Sequence, residues 1–171
     1  KYQLGKCLAL ACGGTSRQQS VANGLRALAD QVPDLAGCQV LVHDGARCFI
    51  TPDVISRVIG GISHHQACGA AVPVKDTIKR ANTDGRISET LDRSRLWAMQ
   101  TPQGAWYPLL RAAYDLAESS GWQVTDDLAL LELAGQAAYV VEGDYRNIKL
   151  TTPEDRLLGE QLARLADKEI K

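Results

Sequence analysis

Residues 39–74 read QVLVHDGARCFITPDVISRVIGGISHHQACGAAVPV, and this stretch decides the fold class. Residues 39–43 (QVLVH) are a short apolar run with strand character. Thr51-Pro52-Asp53 then announces a helix: Thr is a good N-cap, Pro suits the first helical position, and Asp suits the positive helix start. Ile55, Val58, Ile59 and Ile62 supply an apolar stripe at helical spacing. Residues 70–74 (AAVPV) return to a strand. Strand, helix, strand within 36 residues is the signature of an α/β domain built on a mainly parallel sheet.

The same alternation continues on both sides of this stretch. Upstream, residues 7–11 (CLALA) read as a buried strand, broken by Gly13-Gly14. A helix follows with Val21, Leu25, Leu28 and Val32 on one face, ended by Pro33. Downstream, residues 76–92 (DTIKRANTDGRISETLD) are polar and centred on Asp84-Gly85, a strong hairpin turn. A polar hairpin buries little of itself, so it reads as a mobile flap or as an arm packed on another subunit. Residues 96–99 resume the sheet and Thr101-Pro102-Gln103-Gly104 reads as a loop. A helix from about Trp106 carries Leu109, Leu110, Ala113 and Leu116. Thr125-Asp126-Asp127 caps another helix that Gly135 stops, and residues 138–141 form a further strand. Thr152-Pro153-Glu154-Asp155 is a variant capping box opening a last helix, with Leu158, Leu162 and Leu165 on one face.

At 171 residues this suits a single domain with a real core. The net charge of −1 excludes a general nucleic-acid binder, which needs a basic surplus. No run reaches the roughly 20 apolar residues of a membrane helix, and no secretory signal is visible. The five cysteines, Cys7, Cys12, Cys38, Cys48 and Cys68, have neither zinc nor thioredoxin spacing. They read as buried, reduced core thiols, which points to the cytoplasm.

Five places could carry chemistry. The turn from Gly13 to Ser20 (GGTSRQQS) lets backbone approach a ligand, offers helix-start N–H groups to an anion or base edge, and adds the Arg17 fork. Alone, it reads as an ordinary capped turn. At Val42-His43-Asp44-Gly45-Ala46-Arg47, Asp44 stands at a strand end, where an ion bridging phosphates needs a hard oxygen ligand. Arg47 pairs with phosphate or holds the loop; His43 reads as a hydrogen-bonded strand-end histidine, and His64-His65 as solvated surface. Asp76, Thr77, Lys79, Arg80, Arg93 and Arg95 gather at the feet of the hairpin, where cations suggest an anion, although charge alone favours a solvated face. Thr101 follows a strand, so its hydroxyl is expected at the same rim. Lys149, one turn before a capped helix, is a natural point charge for phosphate.

Taken in order, GGTSRQQSV (13–21), VHDGAR (42–47), AVPVKDTIKR (71–80), LDRSRLWAMQTPQG (91–104), TDD (125–127) and NIKLTTPED (147–155) resemble the 2-C-methyl-D-erythritol 4-phosphate cytidylyltransferase family of isoprenoid biosynthesis. The resemblance runs from about residue 12 to 165. It implies a Rossmann-like nucleotidyltransferase fold with a protruding β-arm, residues 76–92, through which a homodimer forms. It also implies magnesium, and a reaction of CTP with the methylerythritol phosphate that gives a CDP-alcohol and pyrophosphate.

Carried over by motif, Gly13, Gly14, Thr15 and Ser20 contact the nucleotide, and Asp44 sits by the metal and the α-phosphate. Thr77, Arg93, Thr101, Lys149 and Arg47 hold the acceptor and its phosphate, partly across the dimer. Asp44, Arg93, Lys149 and Thr101 are the catalytic candidates.

The sequence departs from the family pattern at Thr15, where Asp or Ala is common, at Gly45, where Ala is usual, and at Cys48, where proline is common. Family members also begin with a strand, a Gly-rich loop with an arginine, and Pro-Lys-Gln. Lys1-Tyr2-Gln3 does not replace these, so the expectation is a single nucleotidyltransferase domain lacking its N-terminal part. Such a chain keeps most of the acceptor pocket, loses much of its hold on CTP and does not catalyse in that form. Two other readings stay open: a ribitol 5-phosphate cytidylyltransferase, and a non-catalytic dimerisation or regulatory module.

Overall fold

A computed structural model describes residues 5–169, with side chains described as far as residue 165. Lys1-Tyr2-Gln3 therefore lie outside the described residues. The elements, in chain order, are α1 (Arg17–Gln31), β1 (Gln39–Val42), α2 (Pro52–His65), β2 (Ala67–Pro73), β3 (Lys79–Ala81), β4 (Ile87–Thr90), a 3-10 turn (Arg93–Arg95), β5 (Trp97–Trp106), α3 (Tyr107–Ser120), α4 (Asp127–Leu133), β6 (Tyr139–Glu142) and α5 (Pro153–Glu169).

The main sheet is mixed, in the order β1-β5-β2-β6. Strand β5 runs antiparallel to both β1 and β2, while β2 and β6 are parallel. Three of the four strands thus share one direction, and the one reversed strand lies between two of them. The sheet is covered on both faces, and strand alternation sorts the side chains. Val40 and Val42 of β1 pack with Leu25, Leu110, Tyr114 and Leu131 from α1, α3 and α4. Leu41 faces the other way, toward Val54, Val58 and Ile62 of α2. Covering both faces explains why β2 is buried along all but its last residue.

Helix starts follow local chemistry. Thr51 accepts from Val54 N with Pro52 at the first helical position, as the sequence predicts. The stripe of α2 is turned by one residue from expectation: Val54, Val58 and Ile62 are buried, whereas Ile59 is 43% exposed. Likewise α3 buries Leu110, Ala113, Tyr114 and Ala117 and leaves Leu116 out. Ile62 is fully buried against the sheet. Ile62→Ala should therefore cost about 2–5 kcal/mol, read as a lowered urea midpoint at unchanged slope.

The capping box of α5 is reciprocal. Asp155 Oδ2 accepts from Thr151 N and Thr152 N, at 2.9 and 2.8 Å, and Thr152 Oγ1 accepts from Asp155 N at 3.2 Å. These backbone donors hold the Asp155 carboxyl below the usual carboxylate range. A folded pKa below the unfolded one means the contribution is complete above about pH 4 and fades as pH falls through the lower folded value. Asp155→Asn should flatten the acid limb of a stability-versus-pH curve and leave its neutral shape unchanged; a parallel curve would count against the cap.

Three expectations are corrected. Residues 7–11 form no strand: Leu8 is 63% and Leu10 94% exposed, and no described strand pairs with them. An apolar run becomes a strand only where a neighbour takes its backbone hydrogen bonds. Thr101–Gly104 is not a loop but the middle of β5, with Gln103 opposite Val42 and Gly69, and Gly104 opposite Leu41 and Cys68. Pro102, which lacks an N–H, falls where the β2–β5 register shifts between Gly69 and Ala71, so the ladder tolerates it. The cysteines are free, but only Cys68 is buried; Cys7, Cys12 and Cys48 are exposed.

The hairpin forms as read, with Gly85 at φ +85° in its turn and every residue of β3 and β4 exposed. Among the described residues no helix is long and apolar enough to cross a membrane.

Candidate functional site

A cavity of about 250 Å³ opens where β1 ends, and its lining includes Arg17, Asp44, Arg47, Thr101, Asp126 and Lys149. Five separate segments meet there. Arg17 is the first residue of α1, Asp44 follows β1, Thr101 lies within β5, Asp126 is the N-cap of α4, and Lys149 precedes α5. Asp44 and Lys149 both come after strands that point the same way, so they share the carboxyl-end rim where open α/β sheets bind ligands.

Asp44 is the hub. Its Oδ1 accepts from Arg17 Nε at 3.3 Å and its Oδ2 from Lys149 Nζ at 3.0 Å; Arg47 Nε stands 3.9 Å from Oδ2. Burial alone would raise the Asp44 pKa. The hydrogen-bonded Lys149 ammonium and the Arg17 guanidinium outweigh that and hold the carboxyl below its ordinary value. Each carboxylate oxygen accepts one hydrogen bond here, so a lone pair on each remains for a hard cation. Among the described residues no group of three His, Cys, Asp or Glu could hold a metal. Asp44 by itself could give a hard cation a single oxygen ligand, the rest of the shell coming with the cation.

Arg47 lines the cavity and also holds the loop. It donates from Nη1 to Asn147 O at 2.8 Å and from Nη2 to Met99 O at 3.5 Å. Burial lowers its pKa, though a guanidinium remains charged at neutral pH.

Thr101 is 4% exposed, and its Oγ1 accepts from Asp44 N at 3.0 Å. His43 completes this corner. Its Nε2 faces Arg47 O at 3.1 Å, a pure acceptor, so Nε2 carries the proton in the neutral ring. Nδ1, 3.0 Å from Thr101 Oγ1, then accepts the threonine proton. The expected free strand-end hydroxyl is thus a buried one already engaged on both sides, because β5 continues through this position.

The other sequence candidates lie outside the cavity lining. Gly14 N donates to Ser20 Oγ at 2.9 Å and Thr15 N to Gln19 Oε1 at 2.7 Å, so the Gly13-Gly14 turn is closed on itself on the exposed start of α1. Thr77 and Arg93 stand at the hairpin's foot, both exposed, with Arg93 Nη1 donating to Lys75 O at 2.7 Å. The chain by itself does not bring Thr77 and Arg93 to Asp44. His64 and His65 are exposed, as read, with His65 stacked on Tyr139 at 4.0 Å.

In the sequence Arg17 reads only as an added fork of donors, with no partner in view. Arg17 Nη1 and Nη2 donate to the two oxygens of Asp127, at 3.2 and 2.6 Å, and Asp127 is fully buried. Gln103, 1% exposed, ties β5 to this corner. Its Oε1 accepts from Asp127 N and Leu128 N, and its Nε2 donates to Asp126 Oδ2 and Gln100 O. The adjacent acids of Thr125-Asp126-Asp127 were the available signal, but helix capping explained them equally well.

The family profile described as 2-C-methyl-D-erythritol 4-phosphate cytidylyltransferase matches residues 2–164. The proteins of that name from Synechocystis sp. and Thermosynechococcus vestitus are 50% and 48% identical over 91% and 90% of this chain. The chain spans 65% and 63% of the length of these relatives, just under two thirds. Among solved structures, the Thermus thermophilus 2-C-methyl-D-erythritol 4-phosphate cytidylyltransferase is 35% identical at a TM-score of 0.77, covering 89% of this chain and 71% of its own. The 4-diphosphocytidyl-2C-methyl-D-erythritol synthase of Anaerococcus prevotii is 33% identical at a TM-score of 0.81, with 89% and 66% covered.

Proposed function

Because the chain belongs to the 2-C-methyl-D-erythritol 4-phosphate cytidylyltransferase family, we propose that its Asp44 cavity serves transfer of a cytidylyl group from CTP to 2-C-methyl-D-erythritol 4-phosphate. The observation that carries this reading is the convergence of Arg17, Arg47 and Lys149 on Asp44 at the strand-end rim. The reaction needs no protein nucleophile: a phosphate oxygen of the acceptor attacks the α-phosphorus in line, and pyrophosphate leaves. Positioning and charge neutralisation then suffice, which is the work of fixed cations.

Lys149 is the most exposed of the three cations. Its side chain is 43% exposed and can swing from Asp44 to an incoming phosphate. Asp44 offers an oxygen ligand to magnesium, which when bound neutralises the triphosphate. Arg47 and Thr101 hold the loop carrying Asp44. Gly14, Thr15 and Ser20 lie on the base-contacting turn that the family resemblance assigns, and Thr77 and Arg93 reach an acceptor across a homodimer joined by the exposed hairpin. Free thiols fit a reducing cytoplasmic setting.

The test is pyrophosphate release from CTP and magnesium with each acceptor in turn, alongside calorimetric titration of CTP. Release with methylerythritol phosphate supports the reading. Release with ribitol 5-phosphate alone overturns the acceptor. Absence of CTP binding overturns the proposed activity for this chain and leaves the two other outcomes read from the sequence, a lost hold on CTP and a non-catalytic module.

A further inference from the structure

Arg17 can reach Asp44 only if its guanidinium is held in place, and the hold comes from residues far away in sequence. Asp127 takes both Nη groups of Arg17, 110 positions distant, from a fully buried carboxylate. Tyr114 of α3 donates its hydroxyl proton to the same carboxylate, to Oδ1 at 2.5 Å. Gln103 fixes the backbone of that residue by accepting from Asp127 N at 3.0 Å. We infer that Asp127 and Tyr114 are positioning residues of this site. They clamp Arg17 so that its Nε edge meets Asp44 and its remaining donors face the cavity.

The count of donors supports this. A guanidinium has five N–H bonds in a rigid fork. Nε serves Asp44 and one N–H of each Nη serves Asp127, which leaves two for an anion. Without Asp127 the fork would be free to rotate. The bond to Asp44, at 3.3 Å the longest of the three, has little strength to hold it alone.

The chemistry of the clamp is consistent. A buried carboxylate persists only when it is paired and hydrogen-bonded, and Asp127 has both an arginine fork and a phenol. Burial and the Asp127 charge push the Tyr114 hydroxyl well above its ordinary value, so it stays a donor. Burial opposes the Arg17 charge, but Asp127 and Asp44 more than offset it. Tyr114 and Asp127 are not themselves among the residues lining the cavity, so they act on it through Arg17.

The inference rests on the function proposed above, and its test separates the two. In the full chain, NMR of the Arg17 side chain, assigned by its loss in Arg17→Lys, reports whether the guanidinium is locked, with no ligand needed. Asp127→Asn should merge the separate Nη proton signals into one averaged signal. Tyr114→Phe, which keeps the ring and removes one proton donor, should broaden them at an unchanged circular-dichroism spectrum. In turnover, Asp127→Asn should lower kcat about 10–100-fold with KM for CTP within about threefold, and Asp127→Glu should restore part of kcat. Locked Arg17 signals in both Asp127→Asn and Tyr114→Phe overturn the inference. Absent turnover in the unaltered chain overturns the activity, while the Arg17 signals still decide the clamp.

Discussion

Asp44→Asn is expected to cut cytidylyl transfer by roughly 10²–10³-fold, with most of the loss in kcat. The substitution keeps the volume and leaves the backbone bond from Asp44 N to Thr101 Oγ1 in place. What it removes is the one anion that Lys149 and Arg17 both contact and that Arg47 approaches. The amide also turns a donor toward cations and offers magnesium a weaker ligand. A second readout does not depend on turnover. With magnesium, CTP should bind Asp44→Asn more weakly than the unaltered chain. Without magnesium the order should reverse, because three cations then face the triphosphate with one fewer protein anion between them. Equal binding in both conditions would remove Asp44 from the centre of the site.

Gly104→Ala is expected to be the most damaging single methyl group in the sheet. Gly104 sits in β5 between Leu41 and Cys68. A Cβ there would run into the carbonyl oxygen of Val40 and come within 3.1 Å of Ile62 Cδ1. A flexible side chain could move aside. A backbone oxygen cannot, because β1 is held to β5 from Gln39–Trp106 through Val42–Gln103. The loss should be at least about 3 kcal/mol, the upper end for overpacking. At roughly 2–4 °C per kcal/mol for a chain this size, the melting temperature should fall by roughly 6–12 °C. Gly24→Ala is the control of opposite sign. It lies inside α1 with nothing within 4 Å of an added Cβ, so it should stabilise by about 0.5–1 kcal/mol. Similar melting of the two variants would contradict the close approach at Gly104.

Much of the architecture was legible in the chain itself because local chemistry decides it. Thr51-Pro52 and Thr152–Asp155 start helices through contacts spanning a few residues. Asp84-Gly85 turns a hairpin for the same reason. Asp44 was readable as a candidate because it follows a strand at the rim where ligands bind, and Lys149 because it stands one turn before a capped helix.

Tertiary pairing decided the rest. Residues 7–11 are as apolar as β1, yet they form no strand, because a strand exists only with a partner. Thr101–Gly104 carries loop-like residues, yet it is the buried centre of β5, because β1 and β2 flank it. The Thr101 hydroxyl follows that placement into a closed network with His43 and Asp44. Arg17 and Asp127 are each unremarkable at a helix start; they become a clamp only when the fold brings the starts of α1 and α4 together across 110 residues. The order of motifs was enough to identify the family, since it is a property of the chain. The direction of Arg17 depends on a partner brought in by packing, and no local pattern encodes it.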